Sequence, residues 1–148
     1  MSPIPNVSFT IGESALGQVP ASADGIAGLI LGGVAVTDGI QLGTPTAIYS
    51  IADAEALGLD EAYDTDNNTD VYKEIVDFYT QAGEGSELWI MVLAPDTAYA
   101  DICDKNNDMA KKLLQDSNGR ICIWGANVTR DGAYTPTVTN GIDDDVVS

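Results

Sequence analysis

Three short runs, at residues 25–31 (GIAGLIL), 87–93 (ELWIMVL) and 120–126 (RICIWGA), are almost uninterruptedly apolar, with stretches of helical period between them. This pattern constrains the fold more than any other feature of the chain. A strand with water on one face alternates apolar and polar residues, whereas one that is apolar at nearly every position is covered on both faces. Covered strands that alternate with helices build βαβ units, which imply a mainly parallel sheet with helices on both sides. The turn signals agree: Gly32-Gly33 and Asp38-Gly39 bracket residues 34–36, Pro45 precedes a further short strand at residues 46–49, and Pro95 closes the central run.

Between the strands the helices carry their own boundary chemistry. Ser50 is placed to cap a helix over residues 51–57, with Asp53 answering it three positions on and Gly58 supplying a left-handed stop. Leu59 is expected to fold back over the last turn. Residues 60–70 are acidic and read as a loop, with Asn68 or Thr69 capping the next helix. That helix is marked by Val71, Ile75, Phe78 and Ala82 at helical spacing, widened by Tyr72 and Tyr79, and it ends at Gly83. A helical period returns over residues 99–117, where the polar patch 104–108 is expected to split it in two. Lys111 and Lys112 are expected near the C-terminal end of that helix, with Gly119 as its stop.

A chain of 148 residues suits one such domain and needs no disulfide or metal to hold it. Asp and Glu number 23 against 6 Lys and Arg, a formal net charge of −17. Such a surface repels phosphate backbones and anionic lipid, so neither nucleic acid nor membrane is an expected partner. The longest apolar runs are about half a membrane span, and residues 1–5 (MSPIP) lack the basic and apolar regions of a signal peptide. A cytosolic setting follows, with Cys103 and Cys122 expected as reduced, buried thiols.

Ahead of the first buried run, Val7-Ser8-Phe9-Thr10-Ile11 alternates as a half-buried strand does, and a loop over residues 12–24 detaches it from the body. It reads either as an ordinary edge strand or as an arm that pairs away from its own domain. Val7, Phe9 and Ile11 are the candidate interaction residues.

Catalytic chemistry is hard to place. The chain has no histidine, which removes the Ser-His-Asp arrangement and His-ligated zinc, and two lone cysteines cannot hold a metal unaided. Gly28, Gly32 and Gly33 come without dinucleotide or phosphate-loop spacing and read as tight turns. Asp64, Asp66, Asn68 and Asp70 imitate the start of a calcium loop, but Thr69 stands where glycine is needed and Ile75 where a bidentate Glu is needed. Asp104, Asn106 and Asp108 fail in the same way, with Met109 and Gln115 at those positions. Both stretches read as helix-capping loops. No catalytic residue, cofactor or metal is therefore expected.

Several segments, taken in order, resemble tail sheath proteins of contractile phages and related contractile injection systems. They are LGQVPASADGIAGL at residues 16–29, YSIADAEALGL at 49–59, YKEIVDFY at 72–79 with Gly83 and ELWIMV at 87–92, and KKLL at 111–114 with GRICIWG at 119–125. The resemblance implies a virion structural protein: a subunit that polymerises as a helical sheath around a tail tube and contracts to drive it through a target envelope. It implies other copies of itself, tube and baseplate proteins as partners, terminal arms that add strands to a neighbour's sheet, and location in the virion tail after assembly in the host cytoplasm. Family members are longer, so the chain is expected to be a front portion.

The expected architecture is α/β: a three-layer αβα domain with a mainly parallel or mixed sheet of four to five strands, plus an extended N-terminal arm. Residues 1–24 form the arm and loop, 25–128 the sheath-like domain, and 129–148 a turn-rich tail leading into a C-terminal portion absent from this chain. The alternative is a small cytosolic α/β ligand-binding or enzymatic domain, whose site would sit at the carboxyl ends of the parallel strands. Ala94, Pro95, Asn127, Thr129 and Asp131 would then line it. A secreted surface-layer protein fits less well, for want of a signal.

Overall fold

The computed structural model describes residues 25–128, 135, 137–140 and 142–143. The elements follow in the order β1 (Ala27–Gly32), β2 (Thr46–Ile48), α1 (Ile51–Ala56), α2 (Glu61–Asn67), α3 (Val71–Ala82), β3 (Leu88–Leu93), α4 (Tyr99–Cys103), α5 (Ala110–Asp116) and β4 (Ile123–Asn127). A two-residue ladder of β5 (Val138–Thr139) and β6 (Ile142–Asp143) comes last. Strands β1 to β4 make one sheet in the order β2-β3-β1-β4, with β1 parallel to both β3 and β4 and β2 antiparallel to β3. The sheet is therefore mixed, and the α/β class expected from the apolar runs is the one observed.

Helices cover both faces. Leu31, Leu88, Ile90 and Val92 point to one side, where they pack with Ala54, Leu59, Val71, Ile75 and Tyr79 from the segment of α1 to α3. Ile30, Met91 and Leu93 point to the other and meet Ile102, Ala110 and Leu113 of α4 and α5. Central β3 is apolar on both faces because both are covered, which is the physical content of its unbroken run.

Helix α1 starts as the sequence reads. Ser50 Oγ accepts from Asp53 N–H at 3.1 Å, and Asp53 answers by accepting from Tyr49 N–H at 2.9 Å, one residue before the cap. Gly58 takes φ +80°, and an added Cβ would also crowd Val36. Leu59 folds back and is fully buried. The polar patch does separate α4 from α5.

Five expectations are corrected. Residues 60–70 are not a loop: Asp60 caps α2 by accepting from Tyr63 N–H at 2.8 Å. The next helix is capped by neither Asn68 nor Thr69. The Asp64 carboxylate reaches across from α2 and accepts from Tyr72 N–H and Lys73 N–H, both at 3.0 Å. Lys111 and Lys112 lie in the first turn of α5, since that helix begins at Ala110, and Lys112 Nζ donates to Gly43 O at 2.7 Å. Finally, the 120–126 run is not a covered strand. It forms the sheet edge β4, and Cys122 beside it and Cys103 at the end of α4, expected as buried, are both exposed thiols outside any disulfide. An apolar run does not say how far its covering helices extend.

Candidate assembly edge and strand termini

The carboxyl ends of the parallel strands are where the ligand-binding alternative places its site. Two tyrosines hold them. The Tyr63 hydroxyl accepts from Val34 N–H and donates to Val34 O, both at 2.7 Å, just past β1. The Tyr99 hydroxyl makes the same pair of contacts with Val128 N–H at 3.3 Å and Val128 O at 3.4 Å, just past β4. Burial raises the Tyr63 pKa above its ordinary value, so the hydroxyl keeps the proton it donates. Ala94 O is taken up by the Thr97 hydroxyl at 2.7 Å, and Asn127 Nδ2 donates to Glu74 Oε1 at 2.8 Å. Ala94 and Asn127 are thus engaged with protein groups. Thr129 and Asp131 lie outside the described residues.

The acids that imitate calcium loops are dispersed by their secondary structure. Asp64 is committed to the start of α3, Asn68 is the left-handed cap of α2, and Asp70 pairs with Lys73 at 3.4 Å. Asp104 Oδ1 accepts from Asn106 N–H, while Asp108 pairs with Lys111. The first stretch is helix α2 and the approach to α3 rather than the capping loop its sequence reads as, and the second is the turn between α4 and α5.

At the amino ends, Arg120 forks onto Glu87 with Nη2–Oε1 at 2.6 Å and Nη1–Oε2 at 2.9 Å, and Trp89 Nε1 donates to Glu87 Oε1 at 2.7 Å. The Arg120 hydrogen bonds hold the Glu87 pKa below its ordinary value against the opposing effect of burial, helped by Trp89. A carboxylate with a depressed folded pKa adds stability that is fully present above the unfolded pKa and lost as pH falls through the folded one. Arg120 is half-exposed, so the contribution is modest. E87Q is expected to cost about 1 kcal/mol at neutral pH, and the gap from wild type should close on acidification below the ordinary glutamate range. Urea unfolding of both proteins along a pH series measures it; a gap that does not narrow refutes the assignment.

The remaining feature is β4 itself. It pairs with β1 on one side and, among the described residues, with no strand on the other. Ile123 is 70% exposed and Trp124 36% exposed. In the parallel register Ala27↔Ile123, Gly28↔Trp124, Leu29↔Gly125, the side chains of Ile123, Gly125 and Asn127 share the α1–α3 face, and those of Trp124 and Ala126 the α4–α5 face. Gly33 N–H bonds to Leu93 O, which turns the odd residues of β1 toward β3 and its even residues toward β4. Gly28 and Ile30 therefore bond to Ile123, Gly125 and Asn127, and the N–H and C=O groups of Trp124 and Ala126 face outward. Gly125 leaves a gap, since a Cβ there would have only Leu29 Cδ2 within 4 Å, at 3.9 Å.

Charge is unevenly spread over the two helical layers. Residues 51–82 carry nine Asp and Glu with Lys73 as their sole cation, whereas residues 99–116 carry four Asp and three Lys. Two copies meeting through their α1–α3 layers would repel. Val7, Phe9 and Ile11 lie outside the described residues. The edge at Ile123 and Trp124, the tyrosine clamps and the Glu87–Arg120 fork were not legible in the sequence, because each depends on partners distant along the chain.

A family model described as DUF2586, N-terminal domain, matches residues 4–140. No curated protein and no solved structure matches the chain.

Proposed function

Because the chain belongs to the DUF2586 N-terminal domain family, whose description names no activity, we propose its function from the edge of β4 and from the sequence resemblance to tail sheaths. The reading is a structural subunit of a contractile tail sheath, polymerising around a tail tube and contracting to drive it through a target envelope. Its partners are further copies of itself together with tube and baseplate proteins. It is not an enzyme, takes no cofactor, and resides in the virion tail after assembly in the host cytoplasm.

The observation that carries this reading is the apolar outer edge of β4. Natural sheets shorten, charge or cover their edges, because a bare row of donors and acceptors recruits another strand. Here Ile123 and Trp124 stand exposed on that row. In a sheath, a neighbour's arm carrying Val7, Phe9 and Ile11 satisfies it, main-chain bonds supplying affinity and alternating side chains supplying register. The tyrosine-held strand ends further support an assembly role over a ligand site, and no helix among the described residues is long and apolar enough to cross a membrane.

Negative-stain electron microscopy of the full gene product tests the proposal. Rings, sheaths or polysheath are expected. Their replacement by dispersed particles is expected in V7D/F9D/I11D, with a cooperative thermal transition retained. Dispersed particles from the unmodified protein at every concentration and salt would sink the reading.

A further inference from the structure

The outward main-chain row of β4 is only two residues long, and its shortness decides what can pair with it. At one end the Cys122 N–H is committed to Ile26 O at 3.0 Å, just before β1. At the other end the next outward residue is Val128, whose N–H and C=O are both held by the Tyr99 hydroxyl. Between them stand the N–H and C=O groups of Trp124 and Ala126, taken up by no other group among the described residues. We propose that this row is a self-recognition site: two copies of the chain pair β4 with β4, antiparallel, about a two-fold axis through Gly125.

The register follows from the hydrogen-bonding directions. In an antiparallel ladder, residues directly opposite each other exchange both bonds or neither. With Gly125 on the axis, Trp124 stands opposite the second copy's Ala126, and Ala126 opposite its Trp124, so all four outward groups on each strand are satisfied. An axis at Trp124 would set Ala126 against Cys122, and one at Ala126 would set Trp124 against Val128; both of those residues are already committed. A parallel pair needs level residues to point their groups in opposite directions, which two identical rows about a two-fold axis cannot do.

The side chains fit the same register. Gly125 meets Gly125 in a close, non-hydrogen-bonded pair, and Ile123 lies diagonally across from the second copy's Gly125 on the same α1–α3 face, where it covers the gap. On the α4–α5 face the two Trp124 rings approach diagonally across the axis, each beside an alanine small enough to admit it. Ile123 and Trp124, the exposed large apolar side chains of the four-stranded sheet, are the ones that become covered.

Charge also selects this strand. Residues 123–127 are uncharged in a chain of −17, so two copies can approach there with least repulsion. An axis normal to the sheet still sets the two acidic α1–α3 layers side by side, and salt relieves that repulsion. Five residues a side fall far short of the roughly 20 of a stable interface, so the dimer is weak, with a Kd of the order of 100 µM. A two-fold contact closes on itself and leaves no β4 edge open to propagate. The pairing uses only groups of β4 and does not rest on the sheath reading.

Sedimentation equilibrium of the 148-residue chain from about 10 µM to about 1 mM should show a monomer passing to a dimer. The Kd should be smaller by roughly threefold or more at about 0.3 M salt than at about 0.02 M. A126P removes an outward N–H that its own sheet does not use, a change that edge strands tolerate. It should abolish the dimer while the thermal transition stays cooperative. Cross-linking tests the register independently of that variant. In a C103S/C122S background, G125C places two Cα atoms about 4.5 Å apart across the axis and should form an intermolecular disulfide under mild oxidation. A126C leaves them about 9 Å apart and should form roughly tenfold less. A chain that stays monomeric at the highest concentration and salt overturns the proposal, as does equal cross-linking at the two positions or a dimer unaffected by A126P. Species larger than a dimer that A126P also dissolves would assign the edge to an open polymer instead, and likewise overturn it.

Discussion

Ile90→Ala is expected to destabilise the domain by about 3 kcal/mol, within the range for large-to-small changes at sites that cannot collapse. Ile90 sits at the middle of β3, fully buried, with β1 on one side and β2 on the other. Its side chain enters the cluster formed with Ile75, Tyr79 and Leu88 beneath α3. Alanine leaves a void there, because the surrounding strands are fixed by their ladders and the helix by its other contacts. For a domain of about 100 residues this corresponds to a fall in Tm of roughly 10–20 °C. Ile123→Ala removes the same atoms from the edge strand, where the side chain is 70% exposed, and should cost less than about 1 kcal/mol. Thermal and urea unfolding of the two variants measure the contrast. Equal losses would mean that β4 is covered in the folded chain far more completely than its described neighbours allow.

Gly33→Ala should cost about 2–3 kcal/mol, and Tyr63→Phe should relieve part of that cost. A Cβ on Gly33 would collide with the Tyr63 hydroxyl and crowd Val92 Cγ1 at 3.0 Å and Val71 Cγ2 at 3.2 Å. The collision displaces the hydroxyl that holds both polar groups of Val34, so overpacking and lost hydrogen bonds add together. Tyr63→Phe alone should cost about 1 kcal/mol, the net worth of bonds whose backbone partners at the half-exposed Val34 find water instead. In the double variant the obstructing oxygen is gone, and Gly33→Ala should cost about 1 kcal/mol less than it does in the wild type. Such coupling is what a double-mutant cycle isolates. Additive losses would show that Val71 and Val92, rather than the tyrosine clamp, set the requirement for glycine.

Local chemistry was legible at both ends of α1 and at the break between α4 and α5. Ser50 and Asp53 announce the start of α1, Gly58 its end, and the polar residues 104–108 the break between α4 and α5. The run 87–93 announces a strand covered on both faces, and β3 is one. The α/β class follows from that run and the helices around it, because few arrangements bury such strands. Helix α2 was not legible: its one buried side chain is Tyr63, which leaves too little apolar periodicity to outweigh an acidic sequence.

Position in the sheet was decided by tertiary structure alone. The runs 87–93 and 120–126 look alike as sequences, yet the first became the interior β3 and the second the edge β4, with Ile123, Trp124 and Cys122 left exposed. Strand order depends on which crossovers pack and on how far α3 and α5 reach across the sheet, and those are properties of distant segments meeting in space. The tyrosine clamps at Val34 and Val128 and the Glu87–Arg120 fork have the same origin, each joining residues about thirty positions apart. What the sequence determined by itself is that the run 87–93 must be buried on both faces and where α1 starts and stops, because backbone geometry and local burial act within a few residues. Which buried segment would be left with an open side was settled only when the sheet closed around β3.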